Sequence, residues 1–516
     1  MTIWEGISQA FAHLFTLQAA LGLVIGVVGG MIIGALPGLS ATMGIALLIP
    51  ITYGMDQTAA ILMMAAIYTS AVYGGSISAI LIHTPGTPSS AATCLDGYPM
   101  TQKGEALHAI GLSTTASVIG GIISAIALLL IAPPLARLSL NFQAPEYFLI
   151  AFFGLTLIGS LASGNMLKGL LAGAIGLVVG LIGLSPEVYA RFTFGNFKLN
   201  GGIDLIPAMI GLFSISQVMV LGEERGKHSS TVKEEAVIQG RFLPPAKEFV
   251  GLLPLILECS VVGVFIGILP GAGGDIASWV GLNLAKNQSK HKELFGTGIP
   301  EGVAAPEAAN NAVTGGALIP LLTLGIPGSS TAAVMLGGLT IHGLNPGFEL
   351  FSKFAGITYA VIIGFLVANI LMGLVGWAAG RYLTKVSKVP IPILLPCIAM
   401  LSIIGAYATK QNMFTVYVCL IFGLLGFLMR KYGIPTAPVV LALILGPMAD
   451  EQIYQGTMQA AGMGGITFFQ YMMSRPICLV LLGLIVLGLF SPLISKLISK
   501  SYKKKYGEVG EAAEDI

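Results

Sequence analysis

Thr84-Pro85-Gly86-Thr87-Pro88-Ser89-Ser90 breaks an apolar stretch, and Ile326-Pro327-Gly328-Ser329-Ser330 breaks another much later in the chain. Each is preceded by a Pro-Gly break of its own, Gly34-Ala35-Leu36-Pro37-Gly38 before the first and Gly267-Ile268-Leu269-Pro270-Gly271 before the second. Proline removes a backbone donor and clashes with the preceding turn, and glycine loosens the backbone, so a helix entering any of these sites is interrupted there. Interruptions at corresponding places in two halves of an apolar chain are the mark of a secondary transporter that binds its substrate at the breaks.

The flanking composition sets the class. Apolar residues make up 55% of the 516-residue chain, charged residues 10%, and the mean hydropathy is +0.87, far outside the balance of a soluble domain. Stretches such as 17–36, 106–132 and 354–380 carry no Lys, Arg, Asp or Glu and exceed the ~20 residues a spanning helix needs. Their length and continuity favour helices over barrel strands. A formal net charge of +2 gives no reason to invoke nucleic acid. The five cysteines (Cys94, Cys259, Cys397, Cys419 and Cys478) are scattered without metal-ligand spacing and read as small buried hydrophobes. Met1 to Phe15 contains no Lys or Arg, so the positive region of a cleavable signal is missing and the N-terminus is expected to be retained.

The polar stretch Glu223 to Glu248 divides two membrane halves: 1–222 as a first repeat, 223–248 as a cytoplasmic linker, 249–500 as a second repeat and 501–516 as a cytoplasmic tail. Tyr68-Thr-Ser-Ala-Val-Tyr-Gly-Gly75 aligns over Ala309-Asn-Asn-Ala-Val-Thr-Gly-Gly316, a third matched block ahead of the second break in each half. Loop charge orients the halves, because short cytoplasmic loops are enriched in Lys and Arg. Lys286, Lys290 and Lys292 follow the first break of half two, whereas 51–58 in half one has neither residue. Arg381, Lys385 and Lys388 stand against a single Arg137, and Arg430-Lys431 and Lys503 to Lys505 fit the cytoplasmic face. Equivalent loops then face opposite sides, which is an inverted repeat, and Pro37-Gly38 and Pro270-Gly271 become hairpin tips entering from opposite faces. Beyond the hairpins, spans are expected at 59–83, 106–132, 147–161, 168–184, 205–222, 300–325, 354–380, 390–405, 412–429, 435–448 and 470–495.

The start of a half-helix offers free N–H groups and partial positive charge, an anion site in itself. Hydroxyl and small residues follow the breaks and can cap or donate to a carboxylate, while no Lys or Arg lies nearby in sequence. The substrate-binding set is therefore Gly38, Ser40 and Thr42 at the first break, Thr84, Gly86, Thr87, Ser89 and Ser90 at the second, Gly271 and Gly273 at the third, and Gly328, Ser329, Ser330 and Thr331 at the fourth. Asn310 and Asn311 join it as buried amides that require partners; helix-packing glue is their competing reading. Thr69, Ser70, Asp275 and Glu307 are coupling-ion candidates, with Glu307 balanced between that role and capping, and Asp275 between a cap, a cation ligand and a specificity determinant. His83 reads as a packing residue. No hydrolase triad, phosphate-binding loop or metal cluster is evident, so the chain is not read as an enzyme and an ion gradient is its expected energy source.

At Gly34-Ala-Leu-Pro-Gly-Leu-Ser40, Tyr73-Gly-Gly-Ser76 through Ser90, Ile268-Leu-Pro-Gly-Ala-Gly-Gly274, Pro300-Glu-Gly-Val-Ala-Ala-Pro-Glu-Ala-Ala-Asn-Asn311 and Gly325-Ile-Pro-Gly-Ser-Ser-Thr331 the chain resembles the TctA family, the large membrane subunit of the tripartite tricarboxylate transporters. The resemblance implies a multi-pass subunit of the bacterial cytoplasmic membrane with about twelve spans. It also implies a small TctB-like membrane subunit and a periplasmic TctC-like binding protein as partners, and import of citrate or a related organic carboxylate with Na+ or H+. No cofactor is expected beyond Na+ as a coupling ion. The fold expectation is an all-α integral membrane protein, an inverted repeat of helical hairpins and broken helices, its hairpins moving against a scaffold in the manner of an elevator. An anion channel and a non-transporting membrane scaffold are the alternative readings.

Overall fold

A computed structural model describes residues 3–36, 38–156, 166–225, 242–269, 273–386, 391–483 and 485–486. Pro37, Pro270, Gly271, the middle of the linker (226–241) and the tail 501–516 lie outside the described residues.

The first half runs α1 (Ile3–Leu14), α2 (Leu17–Ala35), α3 (Ala41–Thr52), α4 (Gln57–Ile82), α5 (Ala91–Gln102), α6 (Ala106–Leu138), α7 (Ala144–Thr156), α8 (Met166–Gly180), α9 (Leu205–Met209) and α10 (Ser216–Arg225), the last two joined by a π-helical turn, Ile210–Ile215. The second half runs α11 (Ala246–Ile268), α12 (Gly273–Gln288), α13 (Pro300–Leu324), α14 (Ser330–Ile341), α15 (Phe348–Ser352), α16 (Ala355–Val386), α17 (Ile391–Lys410), α18 (Met413–Lys431), α19 (Ala437–Gly462) and α20 (Phe468–Met473). Seven helices among the described residues are long and apolar enough to cross a membrane, α2, α4, α6, the α9–α10 unit, α11, α16 and α18. The protein is an all-α multi-pass membrane protein, and its two strands, Gly183–Leu184 and Ala190–Arg191, form a single small hairpin.

Two helices occupy the centre. Nearly every residue of α4 from Thr58 to Leu81, and of α13 from Gly302 to Thr323, is buried. A helix apolar on all sides belongs in the interior, and small residues let its neighbours close in without a hydrophobic drive from lipid. The closeness is extreme at the breaks: a Cβ on Gly86 would lie 2.1 Å from the Gly34 carbonyl oxygen, and one on Gly328 would lie 2.3 Å from that of Gly267. In the same way Gly74 sits on Gly34 and Gly316 on Gly267. The offset relating Gly86 to Gly328 also relates Gly74 to Gly316, which shifts the sequence alignment by one residue. Tyr68, not Thr69, thus stands in the place of Asn310.

Chain direction reverses at the breaks. Gln288 of α12 donates to Glu258 of α11 at 2.9 Å, so these helices lie side by side as a hairpin. After α4 the chain doubles back, the Gly86 N–H donating to the Gly75 carbonyl at 3.1 Å, and α5 then runs forward again to Thr101, which donates to the Ile80 carbonyl of α4 at 2.7 Å. The C-terminal residue of α4, His83 (φ 54°), and its counterpart after α13, Gly325 (φ 71°), both adopt the left-handed conformation that ends a helix.

Most helix limits fall within a few residues of expectation, with two departures. The span expected at 435–448 continues as α19 to Gly462, because Asp450 there is paired with Arg191 at 3.0 Å and need not end the helix. The span expected at 470–495 is interrupted after α20, where Arg475 leaves the helical path to meet the fully buried Glu146 at 2.5 Å. A buried carboxylate demands a partner, and that demand overrides the local apolar run.

Candidate functional site

Four half-helices begin inside the protein, and local chemistry explains each start. Ser40 caps α3, accepting from the Met43 N–H at 3.3 Å, and Ser329 caps α14, accepting from the Ala332 N–H at 3.1 Å. Thr87 and Ser90 form a reciprocal cap ahead of α5, and the Ser90 hydroxyl also donates to the Gly75 carbonyl of α4 at 3.0 Å. Gly273, with φ +59°, opens α12. Each start presents roughly half a positive charge.

These starts meet in pairs drawn from opposite halves. At one junction Thr42 of α3 lies 2.9 Å from the Thr331 hydroxyl and 3.3 Å from that of Ser330 in α14. At the other, the α12 start packs on the α5 start: a Cβ on Gly274 would fall 2.4 Å from Asn310 Oδ1 and 3.1 Å from Ser89 Cβ. Tyr68 reaches across the first junction to Ser329, with its hydroxyl 2.7 Å from the serine oxygen. Asp275 lies near enough to interact electrostatically with Tyr68, so the two junctions are neighbours.

Asn310 is 1% exposed, yet neither its amide nitrogen nor its oxygen has a hydrogen-bond partner. A buried amide left so costs roughly 1–3 kcal/mol. Asn311 differs: its Nδ2 donates to Ser117 Oγ at 2.7 Å, while its Oδ1 is unpartnered. Glu307 caps nothing, since it lies two turns inside α13 and is fully buried. Its carboxylate accepts from Ser76 at 2.6 Å, Ser113 at 3.0 Å, Ser117 at 3.1 Å and Thr93, so α4, α5 and α6 are tied to α13 at this point.

Other expected site residues fall elsewhere. Thr84 is exposed and donates to the Ile82 carbonyl at 3.3 Å, outside both junctions; His83 stacks on Tyr98 with ring centroids 4.6 Å apart. Gly86 and Gly328 serve close packing, as their contacts above require. Thr69 is engaged in helix packing, donating to Asn369 Oδ1 of α16 at 2.6 Å, whereas the buried Ser70 hydroxyl is without a partner. Asp275 is exposed on the first turn of α12; its carbonyl accepts from the Ser278 hydroxyl at 3.1 Å, and its carboxylate makes no hydrogen bond or ion pair among the described residues.

Three features were invisible along the chain. Asp96, on α5 and fully buried, accepts the N–H groups of Gly296, Gly298 and Ile299 at 2.9, 2.9 and 3.1 Å, binding the approach to α13 from the other half. Arg430, assigned by sequence to a cytoplasmic loop, hydrogen-bonds Gln217, whose amide nitrogen lies 2.8 Å from where a Cβ on Gly38 would be. The expectation of no cation near a break fails there, because the cation arrives from far along the chain. Tyr68 opened a matched block but was not among the expected site residues. The one available signal was Asp96 itself, an acidic residue in the otherwise uncharged helix that follows the second break.

The sequence profile of the Tripartite tricarboxylate transporter TctA family matches residues 21–441. A protein of Agrobacterium vitis described as an uncharacterized 52.8 kDa protein in the TAR-I ttuC' 3'region is 33% identical over 500 residues, spanning 96% of this chain and 98% of that one. A second from the same organism, an uncharacterized protein in the TAR-II ttuC' 3'region, is 32% identical over 238 residues, 46% of this chain and 96% of its own. No solved structure matches.

Proposed function

This chain belongs to the tripartite tricarboxylate transporter TctA family, and we propose that it imports a tricarboxylate such as citrate, or a related organic carboxylate, across the bacterial inner membrane at the paired half-helix starts. The observation that carries this reading is the unpartnered amide of Asn310, buried where the starts of α5 and α12 meet. Converging helix starts hold an anion by dipoles and N–H groups. Asn310 and the hydroxyls of Ser89, Ser329, Ser330 and Thr42 then provide direction to the carboxylate oxygens without the tight grip of a salt bridge. Ser40, Thr87 and Ser90 hold the starts in place.

The first break of each half meets the second break of the other, as a twofold relation between the halves gives, and the opposite loop charges turn that relation into an inverted repeat. Hairpins of this kind are suited to elevator-like displacement. Uptake is driven by a Na+ or H+ gradient, and the substrate reaches the subunit from a TctC-like periplasmic binding protein with a TctB-like subunit alongside. An anion channel is disfavoured because no ring of charge or continuous polar stripe accompanies the breaks.

The test is uptake of labelled di- and tricarboxylates into proteoliposomes holding the three-subunit complex under imposed Na+ or H+ gradients. Gradient-dependent accumulation of one class supports the proposal. Flux that only follows the substrate gradient would indicate a channel, and no flux with all partners present would indicate a scaffold.

A further inference from the structure

The carboxylate of Glu307 is fully buried, and all its hydrogen-bond partners are hydroxyls. The two carboxylate oxygens can accept from all four hydroxyls at once. Yet no Lys, Arg or His among the described residues pairs with it. Tyr73 and Cys94 are the titratable side chains that interact with it electrostatically, and both are neutral in their ordinary forms. A negative charge at this depth is unfavourable unless a proton or a cation neutralises it.

The surroundings are those of a small hard cation. Ser76 on α4, Thr93 on α5, and Ser113 and Ser117 on α6 bring hydroxyl oxygens to the carboxylate, each retaining lone pairs after donating. Asn311, one turn beyond Glu307, directs its Nδ2 to Ser117 at 2.7 Å, which leaves Oδ1 buried with no donor facing it. That oxygen is an independent sign of a missing positive partner. An all-oxygen set with a single negative charge suits a monovalent ion, since a divalent one would leave a positive excess in the interior.

We propose that Glu307, Asn311 Oδ1 and the hydroxyls of Ser76, Thr93 and Ser113 form a Na+ site, the place where the coupling ion is held. This rests on the transport reading for its purpose but not for its existence. Thr93 lies on α5, the half-helix whose start carries Ser89, so filling the site tightens α5 against α13 beside Asn310. Ion occupancy would thereby shape the substrate junction.

The experiment uses purified full-length protein without substrate. Its thermal midpoint and its binding of radiolabelled Na+ are measured while NaCl replaces choline chloride at constant ionic strength. Wild type should show a saturable Na+-specific rise; Glu307→Gln should abolish it, and Ser113→Ala should raise the half-saturating Na+ concentration by about tenfold while remaining folded. An equal response in Ser113→Ala and wild type, the same rise with K+, or a response to pH alone would overturn the site, and Ser113→Ala decides the matter even if Glu307→Gln does not fold. Carboxylate uptake that persists without any Na+ response removes the ion site and leaves the transport reading. A Na+ response abolished by Glu307→Gln and weakened by Ser113→Ala, in a protein that takes up no carboxylate, does the reverse.

Discussion

Replacing Asn310 by leucine should make the substrate-free protein more stable and the substrate bind more weakly. Leucine shares the branching and heavy-atom count of asparagine and carries no polar atom, so the change removes two unsatisfied groups from a site that is 1% exposed. The relief should be about 1–3 kcal/mol in the substrate-free state. The same substitution deletes hydrogen bonds to the carboxylate that would satisfy the amide, weakening binding by about 1–3 kcal/mol, or roughly 5- to 150-fold in Kd. The assay is thermal or denaturant unfolding in detergent with and without a saturating tricarboxylate, alongside binding of the labelled compound. Opposite signs in the two measurements are the signature. The reasoning is falsified if Asn310→Leu unfolds more easily than wild type without substrate, since the amide would then have a structural partner, or if affinity is unchanged.

Close packing at the breaks gives a steric prediction: Gly86→Ala and Gly328→Ala put a methyl group 2.1 and 2.3 Å from a carbonyl oxygen, and each should destabilise by about 1–3 kcal/mol in the same unfolding assay. Gly29→Ala, a helical position with nothing within 4 Å, should instead stabilise by about 0.5–1 kcal/mol; equal behaviour of the three would show that the approach is not tight. Gly325→Ala tests backbone alone, as its nearest neighbour would be 3.6 Å away and φ is +71°, and it should cost about 1–2 kcal/mol. Asp96→Ala removes the acceptor of three N–H groups, so amide exchange at residues 296–299 should rise sharply, with Asp96→Asn in between; protection equal to wild type in both would refute the latch.

Much of the architecture was legible because its causes are local. Ser40 and Ser329 cap the helices they precede, and hydroxyls next to a Pro-Gly break have few other uses in an interior without water. Span limits failed where charge intervened from afar: Arg475 stops a helix to reach Glu146, and Asp450 survives in one by meeting Arg191. The alignment of the halves slipped by one residue because the Gly-Gly pairs superpose fully in the wrong register and share a single glycine in the right one, and the packing of Gly74 on Gly34 and of Gly316 on Gly267 distinguishes them.

The sequence alone determined that this is a membrane protein with four helix interruptions, since hydropathy and the backbone limits of proline and glycine act within a few residues. Tertiary structure decided what the interruptions meet: Thr42 with Ser330, Gly274 with Ser89 and Asn310, Glu307 with hydroxyls from three other helices, and Arg430 with Gln217 beside Gly38. Desolvation is the reason. A buried polar group must be satisfied by whatever the fold brings within about 3 Å, and that partner stands at no fixed distance along the chain.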